Sequence, residues 1–551
     1  MTSAPDDKPR MPRQIKYIIS NEGCERFSFY GMRNILTPFL MTYLLVSIPE
    51  DGDQRKIASK AVFHTFVMGV YFFPLLGGWI ADRLFGKYNT ILWFSLIYCL
   101  GHGCLAMFED SRNGFYIGLF LIALGSGGIK PLVASFMGDQ FDGRTKHLAK
   151  VVFDAFYWII NFGSFFASLL MPAFLQSFGP AVAFGIPGAL MFIATVAFWI
   201  GRKSYVMVPV AAKKDPDSFM RVVRTALVTA SPRTGGRPGL VLAIAGCVLA
   251  VASFGLLYWI ELVPVICLAF VILLAFGGIG TSIQLEHARG KHSDEAVNGV
   301  RAVLSILIVF ALVTPFHSLF DQKATEWVHQ GGLMDVPAWE IDLAFLGVWE
   351  TNFSPAQMQA FNPLLVMILI PFNNLVLYPW MKRLGWEPTS LRRMTFGIMF
   401  SALAWVVIAI IQIKIEASTD KITILWQILP YAVLTLGEVL VSATGLEFAY
   451  SQAPLVMKGV IMSFWNLTTT VGQLWVILGD HTIRSKSVTG LLADQGISQT
   501  VFFMFFFAGF AFLAAIAFKL YTRRYKMLDN YRPGPGAGPP GDLPKAIARD
   551  R

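Results

Sequence analysis

About fourteen apolar stretches, each long enough to cross a bilayer as one helix, constrain this chain more than any other feature. Roughly 20 helical residues span ~30 Å of hydrocarbon. The first six stretches fall near 18–47, 57–80, 88–108, 114–137, 152–177 and 182–201. Two more follow at 238–257 and 262–284, and a last six at 300–322, 358–382, 391–415, 422–447, 457–479 and 497–525. Only 15% of the 551 residues are charged and 55% are hydrophobic, where a soluble chain would be about a quarter charged. An all-α membrane protein is expected.

The polar residues orient it. A net charge of +10 would suggest nucleic acid in a soluble protein. Here Lys and Arg gather in alternate connections: the N-terminus, 82–90, 138–150, 202–237 (with Lys213, Lys214, Arg221, Arg224 and Arg233), 285–299, 382–393 and the tail. The connection 323–357 carries one Lys against Glu326, Asp335, Glu340, Asp342 and Glu350. The positive-inside rule places both termini in the cytoplasm and leaves no reason to invoke nucleic acid. The expected organisation is a cytoplasmic segment 1–17, a six-helix bundle 18–201, and a cytoplasmic linker 202–299 holding two extra spans. A second six-helix bundle, 300–525, and a Pro/Gly-rich disordered tail, 526–551, complete it. Met1 to Lys16 lacks the pattern of a cleavable leader. The five cysteines (Cys24, Cys99, Cys104, Cys247, Cys267) are odd in number and lie in or near apolar segments, so they read as free thiols. Two six-helix bundles with a basic connection match the layout of major facilitator transporters, which bind substrate between the halves. The layout alone leaves a channel, receptor or membrane enzyme open.

Charge inside hydrocarbon marks a site by default, because each such group costs about 2.5–3.5 kcal/mol unless paired or hydrated. The first span carries Glu22, Glu25, Arg26 and Arg33. The first three share one helix face, and two acids held against one base can take up a proton at modest cost. An ion pair at a helix start in the headgroup zone fits the same spacing. Lys130, in GSGGIKP, has no local partner; a snorkelling lysine is the alternative. Glu438 falls in 422–447, and Asp321 ends 300–322, where Arg33 could reach it from the same side and where a solvated helix end is also possible. His64, in 57–80, is either a hydrogen-bonded structural residue or a proton relay. In GGWIADRLFGK (77–87), glycines permit close helix approach, and Asp82 and Arg83 are placed to pair with neighbouring helix ends.

These residues form a familiar set. Glu22-x-x-Glu25-Arg26-Phe27 followed by Tyr30-Gly31-Met32-Arg33 resembles the first-helix signature of the proton-coupled oligopeptide transporter family of the major facilitator superfamily. GGWIADRLFGK, GGIKP, FYWIINFGS (156–164), FHSLFDQ (316–322) and GEVLVSATGLEFAYSQAP (437–454) follow in the family's order, over nearly all of the transmembrane chain. The two extra spans resemble prokaryotic members. HTFV (64–67) before Tyr71, Phe320-Asp321-Gln322 with Trp327, and TGLEFAYSQAP are similar to the animal intestinal members.

The resemblance implies proton symport of di- and tripeptides by a multi-pass, monomeric protein of the inner membrane, its partners being peptides, protons and lipids. It also implies roles. Glu22, Glu25 and Arg26 would form the proton-coupling cluster, with Arg26 and Lys130 attracting the peptide carboxylate. Asn161, Asn362 and Glu438 would receive the amino terminus. Tyr30, Tyr71, Trp327, Ser442 and Trp465 would line side-chain pockets; packing is the alternative for Tyr30 and Trp465, and interhelical bonding for Asn161. Arg33 and Asp321 would gate the outer face near His64. The chain departs from the family pattern at Phe29, often tyrosine, at His317, often tryptophan, and at Ala443, often proline, which bears on substrate preference and on bending of the 422–447 helix. Plant relatives carry nitrate or other solutes, commonly with altered amino-terminus contacts, whereas Glu438 is retained here. A drug/proton antiporter would lack Lys130 and Arg26. No nucleophile–base set, metal-ligand cluster or phosphate loop is visible, so no enzyme, metal or cofactor is expected.

Overall fold

In hydrocarbon every backbone N–H and C=O must be satisfied within the chain, so each crossing is helical. A computed structural model describes residues 11–48, 54–141, 146–208, 217–230, 235–337, 341–343, 348–351, 353–385, 387–452 and 458–525. The N-terminal part holds α1 (Ile15–Phe39), α2 (Gln54–Phe72), α3 (Pro74–Ile80), α4 (Gly86–Met107), α5 (Arg112–Asp139) and α6 (Lys146–Ile200). After α7 (Phe219–Val228), α8 (Pro238–Ala252) and α9 (Leu262–Gln284) form a hairpin. The C-terminal part holds α10 (Asp294–Asp321), α11 (Glu326–Gly332), α12 (Phe361–Phe372), α13 (Tyr378–Arg383) and α14 (Ser390–Ala417). It continues with α15 (Ile428–Glu438), α16 (Thr444–Gln452), α17 (Lys458–Ile483), α18 (Lys486–Asp494) and α19 (Gln499–Thr522).

Ten helical runs among the described residues are long and apolar enough to span a membrane. Two of them turn at a positive-φ glycine, Gly86 (75°) and Gly179 (78°), and therefore supply two crossings each. With α1 and α17, which carry the polar residues described below, the crossings number fourteen, in the major facilitator layout. The strands are a short antiparallel pair, β1 (Ile341–Leu343) and β2 (Val348–Thr351), between α11 and α12.

The apolar side chains form two main cores. One runs from Ile15 to Tyr205 and takes in Ala324; the other runs from Val222 to Phe518. A third, small cluster of Met68, Cys267 and Leu474 joins α2, α9 and α17. The ring of Phe270 on α9 also meets Phe72 edge-on at 5.5 Å. Helix α9 thus touches both cores along the seam between them.

Glycines set the closest helix contacts. Gly77 of α3 lies against the backbone of Gly127 and Gly128 in α5, so the two glycine-rich motifs of the N-terminal core pack on each other. In the other core, a methyl on Gly397 of α14 would stand 2.7 Å from the Gly437 carbonyl oxygen and 2.6 Å from Val441. Gly397→Ala is expected to destabilise the protein by about 1–3 kcal/mol, read as a lower melting temperature in detergent.

Two polar stretches differ from the sequence expectation. The basic connection 202–237 contains α7, whose Val222 and Ala226 are buried in the C-terminal core. Its anchor is Asp217, which accepts from the Ser293 hydroxyl at 2.5 Å and backbone N–H at 3.3 Å and meets the His292 ring at 2.9 Å. The Ser293 hydroxyl first, then His292, holds this carboxyl below its ordinary range. A depressed folded value means the tie is intact at neutral pH and is lost only as pH falls through that value. The connection 323–357 is not all loop either. A 3₁₀ turn (Gln322–Ala324) and α11 continue α10, and Lys323 and Glu326 are 3% and 2% exposed. Lys213, Lys214, Arg233, residues 1–10 and the tail 526–551 lie outside the described residues.

Candidate functional site

Helical spacing puts Glu22, Glu25 and Arg26 on one buried face of α1. Arg26 Nε lies 3.1 Å from Glu22 Oε1, and its Nη2 pairs with Glu25 Oε2. Exposure is 5%, 0% and 6% in that order. Two carboxylates therefore share one guanidinium well away from bulk water. Lys130, on α5, lies over the rings of Phe29 (3.9 Å) and Tyr71 (4.2 Å). The lysine with no local partner is thus held by π faces, and Phe29, a departure from the family pattern, supplies one of them. Tyr30 and Tyr71 are half-buried.

About two turns beyond Arg26 on α1, roughly 10 Å at 1.5 Å per residue, Arg33 pairs with Asp321 at the end of α10. Asp321 Oδ2 accepts from Gln473 Nε2 of α17 at 2.5 Å. Gln473 Oε1 meets His64 Nδ1 at 2.5 Å, and His64 Nε2 lies 3.2 Å from the Thr325 hydroxyl. His64 therefore reaches Asp321 through Gln473, and both its ring nitrogens are occupied.

A second ionic group lies nearby. Lys60 Nζ, on α2, is 2.5 Å from Glu326 and 2.8 Å from Asp480 of α17, and rests 4.1 Å over the ring of Phe503. Lys56 approaches Glu326 at 3.5 Å, and Arg484 Nε binds Asp480 at 3.0 Å. Thr37 donates to the Ala324 carbonyl at 2.8 Å, Gln357 to that of Leu169 at 2.7 Å, and Thr470 to that of Met68 at 3.3 Å. Apart from Arg484–Asp480, which lies within α17, these bonds join the N-terminal part of the chain to the C-terminal part; Thr470–Met68 sits midway along its helix, and the others lie in the membrane half farther from residue 15. That half is closed.

In the C-terminal core, Asn362 Nδ2 donates to Glu438 Oε2 at 2.5 Å and to Thr435 at 3.0 Å, while Lys323 Nζ lies 2.6 Å from Asn362 Oδ1. Asn362 thus bridges a buried lysine and Glu438. A π-helical turn, Val439–Ala443, follows Glu438 directly and includes the half-buried Ser442. Such turns recur at functional sites, and this one forms with alanine at 443. Trp465 packs against Phe310 at 5.3 Å and His317 at 6.1 Å, and its ring covers Gly445. Asn161 donates to the Tyr157 carbonyl one turn back on its own helix.

Trp327 does not suit the pocket-lining role. It is 0% exposed and packs edge-on against Tyr431 at 4.8 Å and beside Trp405 at 6.2 Å, inside the C-terminal core. Asp82 and Arg83 are exposed, and the ion pair of that turn is Lys87–Asp139, at 2.6 Å. No group of three or more His, Cys, Asp or Glu among the described residues is placed to hold a metal ion.

Lys60, Lys323, Glu326, Gln473 and Asp480 do not stand out as site residues in the sequence. Lys60 was detectable, since it lies within the apolar stretch 57–80. Lys323 and Glu326 look like loop charges until the helix is seen to continue past Asp321. Gln473 is uncharged and carries no such mark.

A family model described as POT family matches residues 88–487. Mouse solute carrier family 15 member 2 is 32% identical over 424 residues, covering 74% of this chain and 49% of that protein. Peptide transporter 3 of Caenorhabditis elegans is 29% identical over 425 residues, covering 74% and 52%. The chain spans about half the length of the curated relatives it matches. Among solved structures, an auto-inhibited POT family peptide transporter is similar at 63% identity and a TM-score of 0.89, over 95% of this chain and 99% of that one. The POT family transporter PepTSo is similar at 60% identity and 0.90, over 95% and 100%.

Proposed function

The chain belongs to the POT family, and from that premise we propose that it is a proton-coupled symporter importing di- and tripeptides by alternating access. Two of the relatives named above are described as peptide transporters, and the fold is that of a transporter, not an enzyme. The observation that carries the reading is the Glu22–Arg26–Glu25 trio, two carboxylates on one guanidinium inside a membrane helix. A proton on either acid frees Arg26 for another carboxylate, and the C-terminus of a peptide is one. Lys130, resting on neutral rings, adds attraction without an acid of its own to displace. At the other end, the ammonium of a peptide competes with Lys323 for Glu438 through Asn362. A zwitterion with its charges a fixed distance apart suits a basic and an acidic end. Tyr30, Tyr71, Ser442 and Trp465 would meet its side chains.

Residues 18–201 and 300–525 act as the two moving bundles, with the extra spans inside 202–299. With both termini cytoplasmic, the closed half faces outward, and the protein works as a monomer in the inner membrane. Protonation of Asp321 would release Arg33, with Gln473 passing the change to His64. Asp82 and Arg83, exposed in the turn before α4, would engage when that side closes.

The test is uptake of labelled dialanine by proteoliposomes in an acidic bath with a neutral interior. Accumulation above the bath concentration is expected, abolished by a protonophore and competed by unrelated dipeptides but not by free amino acids. Uptake unaffected by the gradient, from folded protein, would refute proton coupling; no peptide uptake at all would refute the cargo.

A further inference from the structure

We propose that the groove between α7 and the head of α8 is a binding site for an anionic phospholipid, independent of the transported cargo. Arg221 and Arg224 stand three residues apart on the exposed face of α7, and among the described residues neither has an ion-pair partner. Beside them, Met220, Leu227 and Val228 of α7 and Leu240 of α8 complete an apolar trough. From Leu240 the trough opens onto α8, where Val241, Ile244, Val248 and Val251 are 54–72% exposed. Their spacing of three and four residues makes one apolar stripe along the helix, about 15 Å long at 1.5 Å per residue. A cationic pair at the head of an apolar track matches the shape of a phospholipid: phosphate on the guanidiniums, acyl chain along α8.

The groove is built rather than incidental. Gln284 of α9, fully buried, donates to the Thr229 carbonyl at 3.0 Å and accepts from the Leu240 N–H at 3.0 Å, fixing the end of α7 to the start of α8. Thr225 meets His292 Nε2 at 2.8 Å, which sets the rotation of α7 and turns Arg221 and Arg224 away from the core. The neighbouring acid, Asp217, is already engaged by Ser293 and His292. Lys291 Nζ, 3.1 Å from the Thr229 hydroxyl, adds a further positive charge at this edge. Net negative headgroups are therefore favoured over zwitterionic ones, whose ammonium would meet the same cations.

The experiment is native mass spectrometry of the purified protein with dioleoyl phosphatidylglycerol or dioleoyl phosphatidylethanolamine. About one kilocalorie per mole for each basic residue near the headgroups predicts that Arg221→Gln with Arg224→Gln weakens phosphatidylglycerol retention about tenfold to thirtyfold. Phosphatidylethanolamine retention should be unchanged, and Arg221→Lys with Arg224→Lys should keep most of the preference. Both arginines are exposed, so the lipid-free melting temperature should match that of the parent. Equal retention of phosphatidylglycerol by the glutamine variant would overturn the proposal. So would equal binding of the two lipids by the parent, or displacement of phosphatidylglycerol by millimolar inorganic phosphate.

Discussion

Replacing Lys60 with methionine should open the half of the protein farther from residue 15. Lys60 is 2% exposed, and among the described residues it is the cation paired with both Glu326 and Asp480 across the interface between the cores. Removing one partner of a buried ion pair costs about 3–5 kcal/mol, because the remaining charge stays desolvated. Lys56 still approaches Glu326 and Arg484 still binds Asp480, so the lower end, about 3 kcal/mol, is expected. In the opened form water reaches both acids and the cost largely disappears. The ratio of closed to open molecules should therefore fall about a hundredfold, at 1.4 kcal/mol per decade. Spin labels at Val46 and Leu333, exposed beyond α1 and at the end of α11, would report this as a longer distance in pulsed electron resonance. Lys60→Arg should restore the short distance. An unchanged distribution in the methionine variant would mean that the remaining contacts, Arg33–Asp321 and Lys56–Glu326 among them, keep that half closed without Lys60.

Glu25→Gln should abolish uphill transport while leaving downhill exchange. Glu25 is 0% exposed and pairs with Arg26, which also holds Glu22 at 3.1 Å. Amide for carboxylate preserves shape and removes one of the two proposed proton sites, leaving Glu22 as the sole acid paired to Arg26, so peptide should still bind but carry no proton with it. At one proton per peptide, a gradient of two pH units supports accumulation of about a hundredfold, two decades at 1.4 kcal/mol each. The variant should level off near onefold in that gradient, yet exchange labelled for unlabelled peptide across it. Retained accumulation would remove Glu25 from the coupling and leave Glu22 or Asp321 as the candidate.

Much of the architecture was legible because the bilayer imposes it. Helix length and the position of charge are set by hydrocarbon, and both can be read one residue at a time. The α1 trio was legible for the same reason, since i,i+3 and i,i+4 spacing fixes a shared face before any tertiary contact forms. What could not be read was pairing across the interface. Lys60 and Asp480 are 420 positions apart, and no local rule links them. Gln473 is invisible to any search for charge, although it connects Asp321 to His64. The burial of Trp327 follows from its company, Tyr431 and Trp405, which only the packed bundle assembles. Amphipathic α7 was hidden by its own arginines, which made the connection look uniformly polar.

Cys267 offers a reporter of motion that needs no engineering. It is 1% exposed and lies where α9 meets Met68 of α2 and Leu474 of α17, in the small third cluster between the two main cores. When the cores rock apart along this seam, the thiol loses cover from one side. A small lipid-permeant mercurial should then modify it at a rate that tracks how often the seam parts. Cys247, exposed on α8, reacts in every state and sets the scale. The ratio of the two labelling rates makes the unmodified protein its own clock.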